Sequence, residues 1–203
     1  MKNSKLPNRL TNLRLILSIV IVIFLLFPFN MVNINFKKYL INDTAIIDMK
    51  MIIAGALFII ASITDFFDGY FARKHNTTSE YGILMDPISD KILIDSVLIV
   101  LSSYGYIHPI ITIVVILRDI VVNSFRIIAA KANVLEPSSL AGKCKTFFLM
   151  IGIILKMFGN VPFTFIGIAG DDFFLITGTV LALISGYQYV TVYRKYIKTN
   201  NTL

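Results

Sequence analysis

Apolar residues in this chain fall into six long runs separated by short polar stretches. The runs cover residues 13–29, 49–73, 82–104, 110–132, 140–158 and 171–195. Each is close to or above the roughly 20 residues an α-helix needs to cross a bilayer, and longer than an ordinary strand. The pattern predicts an all-α integral membrane protein of six transmembrane helices, one membrane-embedded domain over residues 1–203. The first run follows Lys2, Lys5 and Arg9 as a signal peptide would. It continues as Phe27-Pro28-Phe29-Asn30 with no small-residue cleavage site, and so reads as an uncleaved span. Residues 30–47 read as a loop or an interfacial piece, with Lys37-Lys38 marking an alternative membrane-surface helix. Residues 159–170 are punctuated by Gly and Pro and read as a loop, with Asp171 or Asp172 capping the last helix.

Composition narrows the class further. Of 203 residues, 56% are hydrophobic and 15% charged. Soluble domains run nearer about 45–50% and about 25%. A disordered chain, a disulfide scaffold and most soluble enzymes are excluded, and the single Cys144 allows no internal disulfide. The net charge of +7 does not point to nucleic acid, because most of the basic residues sit at the ends of apolar runs. With six spans, Lys2, Lys5, Arg9, Arg73, Lys74, Lys131, Lys143, Lys145, Arg194, Lys195 and Lys198 share one side with both termini. By the positive-inside rule that side is cytoplasmic. Lys156 falls near the other end of the fifth span, from where it can snorkel. His75 and His108 read as loop residues.

Carboxylates inside a membrane protein are costly, so their placement is informative. Four aspartates, of 12 acids in all, fall in one window: Asp65, Asp68, Asp86 and Asp90. Asp65 and Asp68 stand three apart, Asp86 and Asp90 four apart, so each pair shares a helix face. The short polar link between the two helices predicts antiparallel neighbours. Asp65 lies roughly 12 Å along the axis from Arg73, sunk below the surface yet reachable from the cytosol. Four carboxylates gathered together require cations, and an all-oxygen site suits Mg²⁺ or Mn²⁺. Such ions complete their shells with phosphate oxygens, which points to a pyrophosphate or nucleotide substrate. Gly69 and Ala72 open the helix surface for close approach, or serve as small packing residues at a helix crossing. Arg73 offers a planar fork to a phosphate or base, or is a positive-inside charge. Asp95, five residues past Asp90, falls off its face and reads as structural.

These residues carry a resemblance. The chain resembles the CDP-alcohol phosphatidyltransferases, whose signature D-x2-D-G-x2-A-R, spacer, G-x3-D-x3-D is matched by Asp65, Asp68, Gly69, Ala72, Arg73, Gly82, Asp86 and Asp90. The resemblance implies a six-helix membrane fold, usually homodimeric. It implies two divalent ions on Asp65, Asp68, Asp86 and Asp90, and Asp90 as the base that takes the acceptor hydroxyl proton. It assigns Gly69, Ala72 and Arg73 to the CDP portion of CDP-diacylglycerol.

Three further segments are similar to the branch that forms phosphatidylglycerophosphate. They are Pro7-Asn8-Arg9-Leu10-Thr11-Asn12-Leu13-Arg14, Arg118-Asp119 with Asn123 and Arg126, and Gly142-Lys143-Cys144-Lys145-Thr146. The resemblance adds Asn8 and Thr11 to the CDP-binding set; read alone they are a helix cap. Arg118 falls mid-span, where an arginine needs an anion or a cavity. With Arg126, Lys143 and Lys145 it would hold the phosphate of glycerol 3-phosphate. Alternatively Arg118 pairs with a nearby acid, although Asp119 is turned about 100° away around the helix, and the other three are positive-inside charges. The branch usually has Glu at Asp119 and Gln at Leu149. If the latter position touches the acceptor, the assignment weakens; if it packs between helices, little changes. Other readings of the carboxylates are the same chemistry with phosphatidylglycerol, serine or inositol phosphate as acceptor, an intramembrane prenyltransferase, and a divalent-cation transporter. A transporter would spread its polar residues through the bilayer, whereas these acids gather at one end.

Overall fold

A computed structural model describes the backbone of residues 5–41, 45–75, 80–131 and 139–200, and the side chains of residues 12–40, 47–64, 89, 91–125 and 139–192. Six long helices follow the six apolar runs: α1 (Lys5–Leu26), α2 (Met49–His75), α3 (Glu80–Ser103), α4 (Pro109–Lys131), α5 (Leu140–Met157) and α6 (Gly170–Asn200). Their starts follow local chemistry. Pro109 opens α4 at a position where a missing N–H costs nothing. Ser139 caps α5, its Oγ accepting the Gly142 N–H at 3.2 Å. Asp171 and Asp172 lie in the first turn of α6, where carboxylates favour the positive end of the helix dipole. The N–H of Asp171 is bound by Asn160 Oδ1 at 3.0 Å, and that of Asp172 by Asp171 Oδ1 at 2.9 Å. Lys156, near the end of α5, bridges both carboxylates at 2.9 and 2.8 Å and fastens the two helix ends together.

The first connection holds more order than a loop. A 3₁₀ turn, Phe29–Val32, leads into an antiparallel hairpin of β1 (Lys38–Ile41) and β2 (Ala45–Asp48), with Tyr39 opposite Ile47. The surface helix considered at Lys37-Lys38 is absent; Lys38 opens a strand instead. Lys-Tyr-Leu-Ile and Ala-Ile-Ile are rich in β-branched and aromatic residues and too short for a stable helix. Ile47 is buried under Gly159, whose φ of +65° and 2.5 Å clearance to Ile47 Cγ1 from a Cβ both demand glycine.

Helix α1 packs against α2 and α3, α4 against α3 and α6, and α5 against α6, α2 and α3. The shared core runs through Ile21, Phe58, Leu93, Leu98, Leu149 and Ile153. At the α5–α6 interface, Gly152 on α5 receives Leu175 of α6, and Gly178 on α6 receives Leu149 of α5. A Cβ at Gly152 would stand 2.7 Å from Leu175 Cγ, and one at Gly178 2.9 Å from Leu149 Cγ. These reciprocal small-on-large contacts let the two backbones approach closely, as membrane helix pairs require. Among the described residues, Gly170–Val192 of α6 is by itself long and apolar enough to cross a membrane. Many large apolar side chains face outward, among them Ile16, Ile23, Ile113, Leu117, Ile120 and Leu183. A hydrocarbon solvent accommodates that arrangement better than water does.

Gly152→Ala should therefore destabilise the fold by about 1–3 kcal/mol through overpacking, read as a lower midpoint of thermal unfolding in detergent. Combined with Leu175→Ala, the loss should be smaller than the sum of the two single losses, because the second change removes the atoms that clash.

Candidate active site

The residues expected at the site divide into two groups. Asp65, Asp68, Gly69, Ala72 and Arg73 lie on the second half of α2, and Asp86 and Asp90 on the first half of α3. Asn8 and Thr11 lie on α1, and Arg126 lies on α4. The side chains of all these lie outside the described residues. Both acid-bearing helices pack on α1. Among the described residues no group of three His, Cys, Asp or Glu is placed to hold a metal. The four signature aspartates supply hard carboxylate oxygens, the donor type that suits a divalent cation of the Mg²⁺ class.

The structure does describe how α3 is held on either side of Asp90. The preceding residue, Ser89, is fully buried, and its Oγ accepts from Arg14 Nη2 at 2.6 Å. Arg14 ends the Pro7–Arg14 segment, is itself fully buried, and has its carbonyl bound by Ser18 Oγ at 2.8 Å. The following residue, Lys91, donates from Nζ to the carbonyl oxygen of Asp119 at 3.3 Å. The α3 backbone around Asp90 is thus tied to α1 through one neighbour and to α4 through the other.

Asp119 is the centre of the second group. Its carboxylate accepts from Lys145 Nζ at 2.6 and 2.8 Å and from Arg118 Nη1 at 2.8 Å. Asp119 and Lys145 are buried. The adjacent-residue pair forms despite the 100° offset between neighbours, because the long Arg118 stem swings the guanidinium back toward the carboxylate. The alternative of an ion pair with a neighbouring acid is therefore realised in the structure. Arg118 is fixed further by α6: Nε donates to the Ala182 carbonyl at 3.2 Å, Nη2 donates to Ser185 Oγ at 2.7 Å, and the guanidinium lies 6.0 Å from the Tyr189 ring centroid. Gly186 gives its stem room, since a Cβ there would stand 3.0 Å from Arg118 Cγ. Three of the five guanidinium N–H groups are used by these bonds. Tyr189 also ties α6 to the start of α5, its hydroxyl accepting the Ser139 N–H at 3.1 Å.

Lys143 and Lys145 have separate fates. Two residues apart, they leave α5 on different faces. Lys145 turns inward to Asp119, while Lys143 is exposed. Leu149 is fully buried against Gly178, so this position packs between helices. Arg14, Ser89, Lys91 and Ser185 were not singled out as site residues from the sequence. Arg14 and Lys91 carried a signal, Arg14 as the last residue of the Pro7–Arg14 segment and Lys91 as the charge that follows Asp90. The two serines carried none.

Comparison with known proteins places this geometry. The model of the family described as CDP-alcohol phosphatidyltransferase matches residues 4–188. The chain belongs to the CDP-alcohol phosphatidyltransferase family. Its all-helical, membrane-embedded fold is therefore that of the family. The chain is 39% identical over 154 residues to a Mycoplasma pneumoniae protein, covering 76% of this chain and 68% of that one. It is 30% identical over 196 residues to a Bacillus subtilis protein, covering 97% and 98%. It is 33% identical over 196 residues to a Rickettsia felis protein, covering 96% and 98%. All three relatives are named CDP-diacylglycerol–glycerol-3-phosphate 3-phosphatidyltransferase.

In this family member, removing the Asp119 carboxylate leaves Arg118 and Lys145 as buried cations without their counter-ion. Asp119→Ala should cost about 3–5 kcal/mol of stability. Asp119→Glu, which keeps the charge, should retain most of it. Thermal unfolding of the detergent-solubilised protein checks both.

Proposed function

We propose that this protein transfers the phosphatidyl group of CDP-diacylglycerol to the 1-hydroxyl of sn-glycerol 3-phosphate, giving phosphatidylglycerophosphate and CMP. The complete eight-position signature on α2 and α3, in a chain similar over nearly its whole length to relatives of that name, carries the reading. The acceptor oxygen attacks the phosphorus that bears the diacylglycerol. The new P–O bond forms as the bond to CMP breaks, and the hydroxyl proton passes to Asp90. The clamping of Ser89 by Arg14 and of Lys91 by the Asp119 carbonyl supports this role, since a base must be held within hydrogen-bond reach of the proton it takes.

Asp65, Asp68, Asp86 and Asp90 would hold two divalent ions, Mg²⁺ or Mn²⁺. Bound there, the ions would neutralise the diphosphate and the charge developing on CMP. Gly69, Ala72 and Arg73, with Asn8 and Thr11 from α1, contact the CDP portion. Arg118, Arg126, Lys143 and Lys145 bind the acceptor phosphate. Arg118 retains two N–H groups beyond its described bonds, and Lys143 is exposed, so both can donate to an anion. Lys145 keeps one N–H beyond the two it gives to Asp119, and together with Asp119 it fixes the orientation of Arg118. The enzyme acts as a single domain in a bacterial-type cytoplasmic membrane, as a homodimer, with both termini and the active site facing the cytoplasm. The crowding of Lys and Arg at that end of the helices supports the orientation.

The test is CMP release from CDP-diacylglycerol with a divalent cation and a panel of alcohols. Release with glycerol 3-phosphate, and not with serine, inositol phosphate or phosphatidylglycerol, is expected; release with one of the others overturns the acceptor. Asp90→Asn should lower turnover by about 10²–10⁴-fold while the protein still binds the CDP-lipid. Arg118→Ala should raise KM for glycerol 3-phosphate, and an unchanged KM would move the acceptor phosphate elsewhere.

A further inference from the structure

At the end of α1–α3 remote from the aspartates, the structure forms an open cavity of about 640 Å³. The last turn of α1, the 3₁₀ turn, the hairpin, the start of α2 and the loop after α3 form its walls. Lys50, the second residue of α2, lies 15 residues and about 22 Å of helix from Asp65, so the cavity is separate from the signature.

Lys50 lines this cavity with an unusual set of partners. Its Nζ donates to the Phe27 carbonyl at 3.3 Å and stands 5.4 Å from the Phe29 ring centroid and 5.7 Å from that of Tyr104. Among the described residues no carboxylate forms an ion pair with it; Asp48 accepts the Lys50 backbone N–H instead, at 2.9 Å. An ammonium has three donors, so a full charge and two N–H groups remain for a ligand. Lys38 on β1 adds a second cation to the lining, and Asp48 supplies the carboxylate.

We propose that this cavity binds the phosphodiester headgroup of an anionic phospholipid, with the phosphate on Lys50 and Lys38 and a headgroup hydroxyl on Asp48. Two lysines against one aspartate leave one positive charge, which a monoanionic phosphodiester neutralises. Phe29, Tyr104 and Tyr106 give walls of the kind that sit at a membrane–water boundary. Exposed apolar side chains next to the cavity, such as Met31 and Ile34, offer contact to acyl chains, which a free phosphate would leave unused. A choline headgroup would need the aromatic faces that Lys50 already covers. The inference rests on the membrane placement of the fold and is independent of the acceptor alcohol.

The test is binding to the purified full-length chain in mild detergent, followed by native mass spectrometry and thermal unfolding. Phosphatidylglycerol, phosphatidylcholine and inorganic phosphate are the probes. Phosphatidylglycerol should bind and raise the unfolding midpoint, whereas phosphatidylcholine and millimolar phosphate should not. Lys50→Met should weaken phosphatidylglycerol binding by about tenfold or more, the scale of one lost charge-assisted hydrogen bond. Lys50→Arg should retain binding. Lys38→Gln, an exposed position on β1, should weaken binding severalfold and serves as the probe if Lys50→Met does not fold. Undiminished binding in both charge-removing variants overturns the proposal. So does equal binding of phosphatidylcholine, or equal stabilisation by inorganic phosphate alone, which would make the cavity a soluble-anion site. Were phosphatidylglycerol itself the acceptor it would also bind at the signature, and the loss of binding in the Lys50 and Lys38 variants is what separates the two sites.

Discussion

The Asp119 carboxylate is the interaction on which the helix arrangement turns. In hydrocarbon a lone charge is prohibitively costly, so a buried carboxylate organises whatever cations can reach it. Here Lys145 reaches from α5 and Arg118 from the same helix, and Arg118 passes the connection on to Ser185 and Ala182 of α6. The backbone carbonyl of Asp119 accepts from Lys91 of α3. Four helices meet through one residue. Apolar packing alone specifies such a meeting weakly inside a membrane, because lipid tails compete equally well for apolar faces. The polar contacts therefore set the register of the bundle, and the Gly152–Leu175 and Gly178–Leu149 contacts set how close α5 and α6 lie.

That arrangement ties the two halves of the molecule where the chemistry is expected. Helices α2 and α3 carry the signature, and α4 and α5 carry the cations assigned to the acceptor. Asp90 is flanked by Ser89, held by Arg14 of α1, and Lys91, held by Asp119 of α4. A displacement of α4 relative to α1 would thus be felt on α3 at Asp90. Donor and acceptor sites that must meet at one phosphorus atom need this kind of shared support, since small misplacements are expensive in rate.

The helices were legible because each apolar run is long and its ends are polar, and their bounds differ from the runs mostly by a few residues. The hairpin was less so. Its signal was there, two short β-rich stretches around Asn42-Asp43-Thr44, but two lysines in a polar stretch read equally well as a surface segment. The aspartate signature was legible because its chemistry depends on spacing along the chain. The Asp119 centre was not, because Lys91 and Lys145 reach it from α3 and α5, and Ser185 and Ala182 of α6 join it through Arg118, by tertiary packing alone. The offset between adjacent residues on a helix argued against the Arg118–Asp119 pair, yet the flexibility of a long arginine stem overcomes it. Lys145 shows the same limit. Its position near a helix start reads as a topology charge, and only its burial separates it from Lys143.

This separation bears on how positive charge is counted in such a protein. Arg118 and Lys145 share the single Asp119 carboxylate, which leaves one positive charge buried between the helices, whereas Lys143 remains outside. At the far end Lys156 is fully neutralised by Asp171 and Asp172. Lys50 differs from all three. It too is drawn toward a helix end, but it meets ring faces and a carbonyl where the others meet carboxylates. Rings and a carbonyl at the end of α1 stabilise a cation without cancelling its charge. A cation held in this way can still attract an anion, and its place in the lining of a cavity walled by aromatic residues suits the phosphate of a lipid.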